Sequence, residues 1–181
     1  MSAEEFKKLG ITVVRGIFSD TEKLYKYTKG MERLGDSDVQ TPGAPAFYKD
    51  VEMSKLQMKI LRKMEEATGL ELYPTYNYFR VYNNESILKK HRDRPACEIS
   101  ITMCIGYDGD YNWPVCVTDY QGRDHIVTLE PGDGLIYRGC DLTHWREPAD
   151  ERVKKHSQVF IHYVDANGPH ANCVFDIGKV Q

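Results

Sequence analysis

No stretch of this chain approaches the run of about 18 apolar residues that a membrane-spanning helix needs. Excess positive charge is missing too. With 24 Lys and Arg against 27 Asp and Glu, the formal charge is −3, which gives no general pull toward nucleic acid. The five cysteines (Cys97, Cys104, Cys116, Cys140 and Cys173) include no CxxC pair and are odd in number. They read as reduced thiols in a cytoplasmic setting, three of them as small hydrophobes inside strand-like runs. The opening Met1-Ser-Ala-Glu-Glu lacks the basic-then-apolar order of a secretory signal. Internal repeats, low-complexity tracts and linkers are absent, so 181 residues are most simply one domain, 1–181.

What is present is a composition able to bury a core and stay soluble, 41% hydrophobic and 28% charged. Ser19-Asp-Thr-Glu22 reads as a capping box opening a helix that runs to about Leu34. A polar loop from Asp36 to Pro45 follows. A second helix is expected over Met53 to Thr68, with Met53, Leu56, Ile60, Leu61, Met64 and Ala67 on one face and Gly69 as its stop. From residue 70 the texture changes to strands: Leu72 to Tyr82, Glu98 to Ile105, Trp113 to Thr118, His125 to Leu129, Leu135 to Tyr137, and His156 to Val164. Helical support over about 19–68 and a strand-rich core over about 72–164 give an α+β, mainly β class. The expected fold is a double-stranded β-helix (jelly roll) with N-terminal helices packed on one sheet.

The residues that carry chemistry come in the order His91-Arg92-Asp93, His144, and Lys155-His156-Ser157. In a strand, residues i and i+2 share a side, so His91 and Asp93 can reach one ion while Arg92 faces away. Two imidazoles and a carboxylate can hold a divalent iron on one face and leave the opposite positions open, which oxygen activation requires. His144 follows the turn Pro131-Gly-Asp-Gly134 and the strand Leu135-Ile-Tyr-Arg138. The order and spacing of His91, Asp93, His144, Lys155 and Ser157 resemble the iron(II)/2-oxoglutarate-dependent oxygenases, in particular the prolyl 4-hydroxylase-like branch. His144-Trp-Arg-Glu-Pro148 also resembles that family's run from the distal histidine toward a proline. The resemblance covers about residues 76–164 and lies in motif positions rather than in dense identities. Asn83-Asn-Glu-Ser, where the family has a glycine, and Arg94-Pro95 after Asp93 depart from it.

The resemblance implies Fe(II) held by His91, Asp93 and His144, with 2-oxoglutarate and O2 as cosubstrates and ascorbate as a candidate supporting reductant. It implies succinate and CO2 as by-products of hydroxylating an unactivated C–H. The far carboxylate of 2-oxoglutarate needs a cation, because an unpaired buried charge is very costly. The resemblance assigns that role to Lys155 with Ser157, Lys154 being the competitor one residue away. It gives Tyr82, nine residues before His91, a second contact, with the face Ser100, Thr102, Cys104 as further lining. With Lys155 facing the barrel interior, alternation turns His162 outward, as a structural residue. His125 lacks a carboxylate at ligand spacing, and His170 lies in the tail. Arg94, Trp113 and Trp145 are candidate substrate contacts at the mouth. The substrate is a peptide, protein or small molecule, with a peptidyl residue such as proline favoured. No basic, aromatic-interleaved stripe supports a nucleic acid partner. Two rival classes stand beside this: a cupin-like metalloenzyme without 2-oxoglutarate, which has no use for Lys155, and a non-catalytic jelly-roll binding module.

Overall fold

The computed structural model describes residues 3–37, 41 and 43–176. Three helices, α1 (Ala3–Leu9), α2 (Thr21–Met31) and α3 (Val51–Thr68), accompany eleven strands among these residues. The strands are β1 (Ile11–Val14), β2 (Asp36–Ser37), β3 (Pro45–Tyr48), β4 (Leu72–Tyr82), β5 (Leu88–His91) and β6 (Ile99–Asp108). They continue with β7 (Val115–Thr118), β8 (Asp124–Val127), β9 (Gly134–Arg138), β10 (His144–Arg146) and β11 (Lys155–Asp165). The large sheet runs β1-β9-β6-β11-β4-β3-β2 and the small one β5-β10-β7-β8. All pairs are antiparallel. From β4 to β11 the chain passes back and forth between the two sheets, with β7 and β8 as the one consecutive pair in the small sheet, which is the double-stranded β-helix expected from the sequence.

The helices cover one face of the large sheet. In α3, Asp50 caps the start by accepting from the N–H groups of Glu52 and Met53, and Gly69 ends it at a φ of 72° that favours glycine. Between those caps Met53, Leu56, Ile60 and Met64 are buried. They join Phe79 and Val81 of β4, Ile99, Ile101 and Met103 of β6, and Val159, Ile161 and Tyr163 of β11 in the main core. Each such side chain contributes about 1.5–3 kcal/mol by leaving water. A second cluster lies between the sheets: Ile11, Cys104, Leu135 and Tyr137 meet Val115 and Val117 of the small sheet.

Several local expectations differ in detail. The capping box at Ser19 does not form: Asp20 is the N-cap without a side-chain bond, and the Glu22 carboxylate accepts from Lys26 instead. A short 3₁₀ turn over Glu32–Leu34 still carries the chain to the expected end. The expected loop after Asp36 contains the backbone pairing of β2 with β3; residues 38–40 and 42 lie outside the described ones. The short elements α1, β1 and β10 are too brief to show a period. No helix among the described residues is long and apolar enough to cross a membrane.

Candidate metal centre

β5 ends at His91, which pairs across the small sheet with His144, the first residue of β10. Their rings lie 4.2 Å apart. Asp93 therefore sits beyond the strand rather than within it, and its N–H donates to Gly139 O at 2.9 Å. That approach requires a glycine. A Cβ at residue 139 would stand 2.3 Å from Cys97 O and 2.7 Å from Asp93 Oδ2. His91 Nδ1 lies 2.8 Å from Lys89 O and His144 Nδ1 3.0 Å from Leu142 O. A carbonyl only accepts, so each neutral ring carries its hydrogen on Nδ1 and leaves Nε2 as a lone-pair donor. Both Nε2 atoms face Asp93 Oδ1, at 3.6 Å and 3.5 Å. One ligand atom from each of the three residues lies within 4.8 Å of the others. Burial alone would raise the Asp93 carboxyl, but the contact with His144 and the nearby imidazoles hold it below the ordinary carboxylate value. Burial and His144 hold His91 below the usual imidazole value. Two nitrogen donors and one ionised oxygen converging, with the remaining directions open, fit a facial divalent iron.

The cosubstrate anchor expected at Lys155 is not in this space. Along β11 the residues Lys155, Ser157, Val159, Ile161 and Tyr163 face the helices. Lys155 Nζ pairs with Glu32, and Ser157 Oγ accepts from Thr28 Oγ1 at 2.9 Å. Lys154 is exposed. Alternation holds as expected, but its phase is the reverse: His156, Gln158, Phe160 and His162 face between the sheets. His162 is thus an interior residue, with Asp93 and Cys97 around it, and burial pulls it down to about pKa 4. The physical reason was legible. Val159, Ile161 and Tyr163 form an apolar face that suits helices, whereas a face of two histidines and a glutamine suits a polar lumen.

Of the other expected contacts, Tyr82 is fully buried in the interior opposite His156. Ser100 and Thr102 line the same space through His162 and Gln158. Trp113 is deep rather than at the mouth, edge-on to Tyr82 at 5.3 Å. Trp145 faces the opposite side of β10, its Nε1 donating to Glu147 Oε1 at 2.6 Å and Lys90 lying 4.0 Å over its ring. It leaves the substrate set. Arg94 is a half-exposed rim residue, paired with Asp176 and stacked 4.6 Å over Tyr76. His125, read as lacking a carboxylate, donates from Nε2 to Asp119 Oδ2 at 2.8 Å in the β7–β8 hairpin.

Sequence reasoning missed Arg146, two residues along β10 from His144 and so on the same face. It is fully buried. Nη1 donates to Trp113 O, while Nε has no hydrogen-bond partner among the described residues. The guanidinium lies over Trp113 at 4.9 Å and Tyr82 at 5.8 Å. No carboxylate in the described residues pairs with it. Beside it, burial and the Arg146 charge push His156 down to about 3. His156 Nε2 meets Gln158 Oε1 at 3.0 Å, and Gln158 donates to Thr102 Oγ1 at 2.7 Å. A desolvated cation beside aromatic walls and a hydrogen-bonded polar row has the chemistry to receive a small anion.

Fold and site together define a double-stranded β-helix with a two-histidine, one-carboxylate cluster between its sheets. No family model and no curated protein matches the chain. Solved structures do match in fold. The non-heme alpha ketoglutarate dependent epimerase SnoN from nogalamycin biosynthesis superposes with TM-score 0.75 at 12% identity, covering 91% of this chain and 81% of that one. A Pseudomonas putida prolyl-4-hydroxylase gives TM-score 0.65 at 14% identity, over 89% of this chain and 96% of its own. HygX from Streptomyces hygroscopicus, with nickel and 2-oxoglutarate bound, gives 0.69 at 13%, over 92% and 87%. At such identities the likeness is one of fold.

Proposed function

We propose that this protein is an iron(II)- and 2-oxoglutarate-dependent dioxygenase that hydroxylates an unactivated C–H bond, with release of succinate and CO2. One observation carries the reading: a facial His91–Asp93–His144 cluster stands beside Arg146, which shares the short strand β10 with His144 and is a buried cation with no carboxylate partner among the described residues. Metal and anion receptor are what a chelating keto acid with a distant carboxylate requires. The fold neighbours whose names include 2-oxoglutarate or alpha ketoglutarate support the same reading. When bound, iron and 2-oxoglutarate supply the oxidant by oxidative decarboxylation, the chemistry being theirs rather than the chain's.

The chain's own residues position and exclude. The Lys89 and Leu142 carbonyls fix the two ligand tautomers, so both Nε2 lone pairs aim at one point without reorganisation. Asp93 adds one negative charge and keeps that position from a halide. Arg146 holds the far carboxylate, with Tyr82 beside it, in the place first expected of Lys155. Trp113 closes the deep end against water. Tyr76 and Arg94 form the rim where substrate enters. The substrate we propose is a peptidyl residue such as proline, supported by the fold shared with the Pseudomonas putida prolyl-4-hydroxylase.

Anaerobic titration of 2-oxoglutarate into the iron(II)-loaded protein tests the reading. A weak visible charge-transfer band is expected, absent in His144→Ala. Bound iron without the band would move the assignment to the cupin-like alternative. Added oxygen on proline-containing peptides, read by mass spectrometry, tests the substrate.

A further inference from the structure

We infer that His162 is a positioning residue for Asp93, donating from Nε2 to the carboxylate oxygen that does not face the ligand imidazoles. This rests on the metal reading of His91, Asp93 and His144 and adds a residue to it. A carboxylate oxygen of Asp93, Cys97 Sγ and a ring nitrogen of His162 lie within 4.8 Å of one another. Two atoms in this corner are orphans: Asp93 Oδ2 and His162 Nε2 are buried and have no hydrogen-bond partner among the described residues. His162 is only 2% exposed. Its ring is held by Tyr76 at 4.6 Å and Tyr78 at 5.7 Å, and its Nδ1 lies 2.7 Å from Ser100 Oγ.

Ser100 decides which nitrogen carries the hydrogen. Its one hydroxyl proton can go to His162 Nδ1 at 2.7 Å or to Cys97 O at 3.0 Å. If it goes to Nδ1, a neutral His162 must be protonated at Nε2, which leaves an unpartnered N–H in the same corner as the unpartnered oxygen of an ionised carboxylate. If it goes to Cys97 O, Nδ1 donates to Ser100 and the Nε2 lone pair faces the carboxylate. That second arrangement buries two acceptors against each other, which is costly. The first lets one bond between the two orphans satisfy both, and that bond would fix Asp93 as a one-oxygen ligand, the usual service of a group behind a metal ligand. Cys97 supplies the rival outcome. With the lone pair outward, Asp93, Cys97 and His162 would themselves make a second cation site.

Cobalt(II) titration of the chelator-stripped full chain, followed in the visible spectrum, separates these possibilities. Wild type is expected to take one equivalent. His162→Phe should bind it about 10- to 100-fold more weakly, and His162→Gln, which keeps an N–H near the same place, should stay within a few-fold of wild type. Nitrogen-15 spectra of histidine-labelled wild type should place the hydrogen on Nε2. Equal affinity in a His162→Phe variant with unchanged metal-free melting would overturn the inference alone. So would a hydrogen on Nδ1, or a second equivalent of cobalt lost in Cys97→Ser. A wild type that takes no cobalt overturns the metal centre and this inference with it. Should His162→Phe fail to fold, the Gln variant and the nitrogen-15 spectrum decide.

Discussion

Arg146 is the residue on which the proposed chemistry and the fold pull in opposite directions. A guanidinium buried with one backbone acceptor destabilises the empty protein, its two aromatic faces offset part of that, and an arriving anion would offset the rest. Arg146→Met should therefore leave the ligand-free protein as stable or up to about 1–4 kcal/mol more stable in urea denaturation. The same variant should weaken 2-oxoglutarate binding at least about 100-fold, from the loss of about 3 kcal/mol or more of charge-assisted contact. A destabilised variant with normal cosubstrate binding would make Arg146 a structural residue. The three metal-ligand candidates were legible from types and spacing, because a ligand set must be named by chemistry. Arg146 was not, because an arginine beside a motif reads as a surface charge until the lumen is seen.

At the scale of the element, β11 carries the clearest lesson. Its period of two was legible from residue 155 to 163, and it correctly separated Lys155 and Ser157 from His156 and His162. What the period could not supply was which face met the helices, since that depends on the partner layer. The matching spacing of Lys155 outweighed the apolar run Val159, Ile161, Tyr163 that pointed the other way. The consequence is measurable. Ser157→Ala removes one side of the buried contact with Thr28 on α2 and should cost about 0.5–1.5 kcal/mol of stability, since the Thr28 hydroxyl keeps Tyr25 O at 3.0 Å as an acceptor. Calorimetric titration with 2-oxoglutarate should find its affinity unchanged, and a large loss would return the anchor to this strand. The strand β10, three residues long, sat below any sequence period, yet it places both His144 and Arg146.

For the whole molecule, buried titratable groups set the acid limit of the fold. His156 stays neutral down to about pH 3, while the unfolded chain takes a proton near pH 6.5. Below that value the unfolded state binds more protons, so stability is fully present above about 6.5 and falls as pH drops. The slope from this group is up to about 1.4 kcal/mol per pH unit. Asp119 adds to the loss at lower pH. Burial works against its ionised form, but His125, Arg123 and backbone N–H groups hold its carboxyl below the ordinary value, so its contribution fades below about pH 4. Urea melts at pH 7.5, 6 and 5 should descend in that order, with a shallower slope in His156→Gln; parallel slopes would refute the assignment. The architecture was legible as helices followed by strands, while the pairing order required knowing which short strands lie between the long ones. On the proposed reading, the buried Arg146 guanidinium also makes the resting protein a sampler of its solution. If Arg146 is the proposed anchor, acetate, phosphate, citrate and sulfate should each compete for it, so an apparent cosubstrate affinity would belong to a protein and a buffer together. Preparations purified in different anions will disagree until those anions are exchanged away.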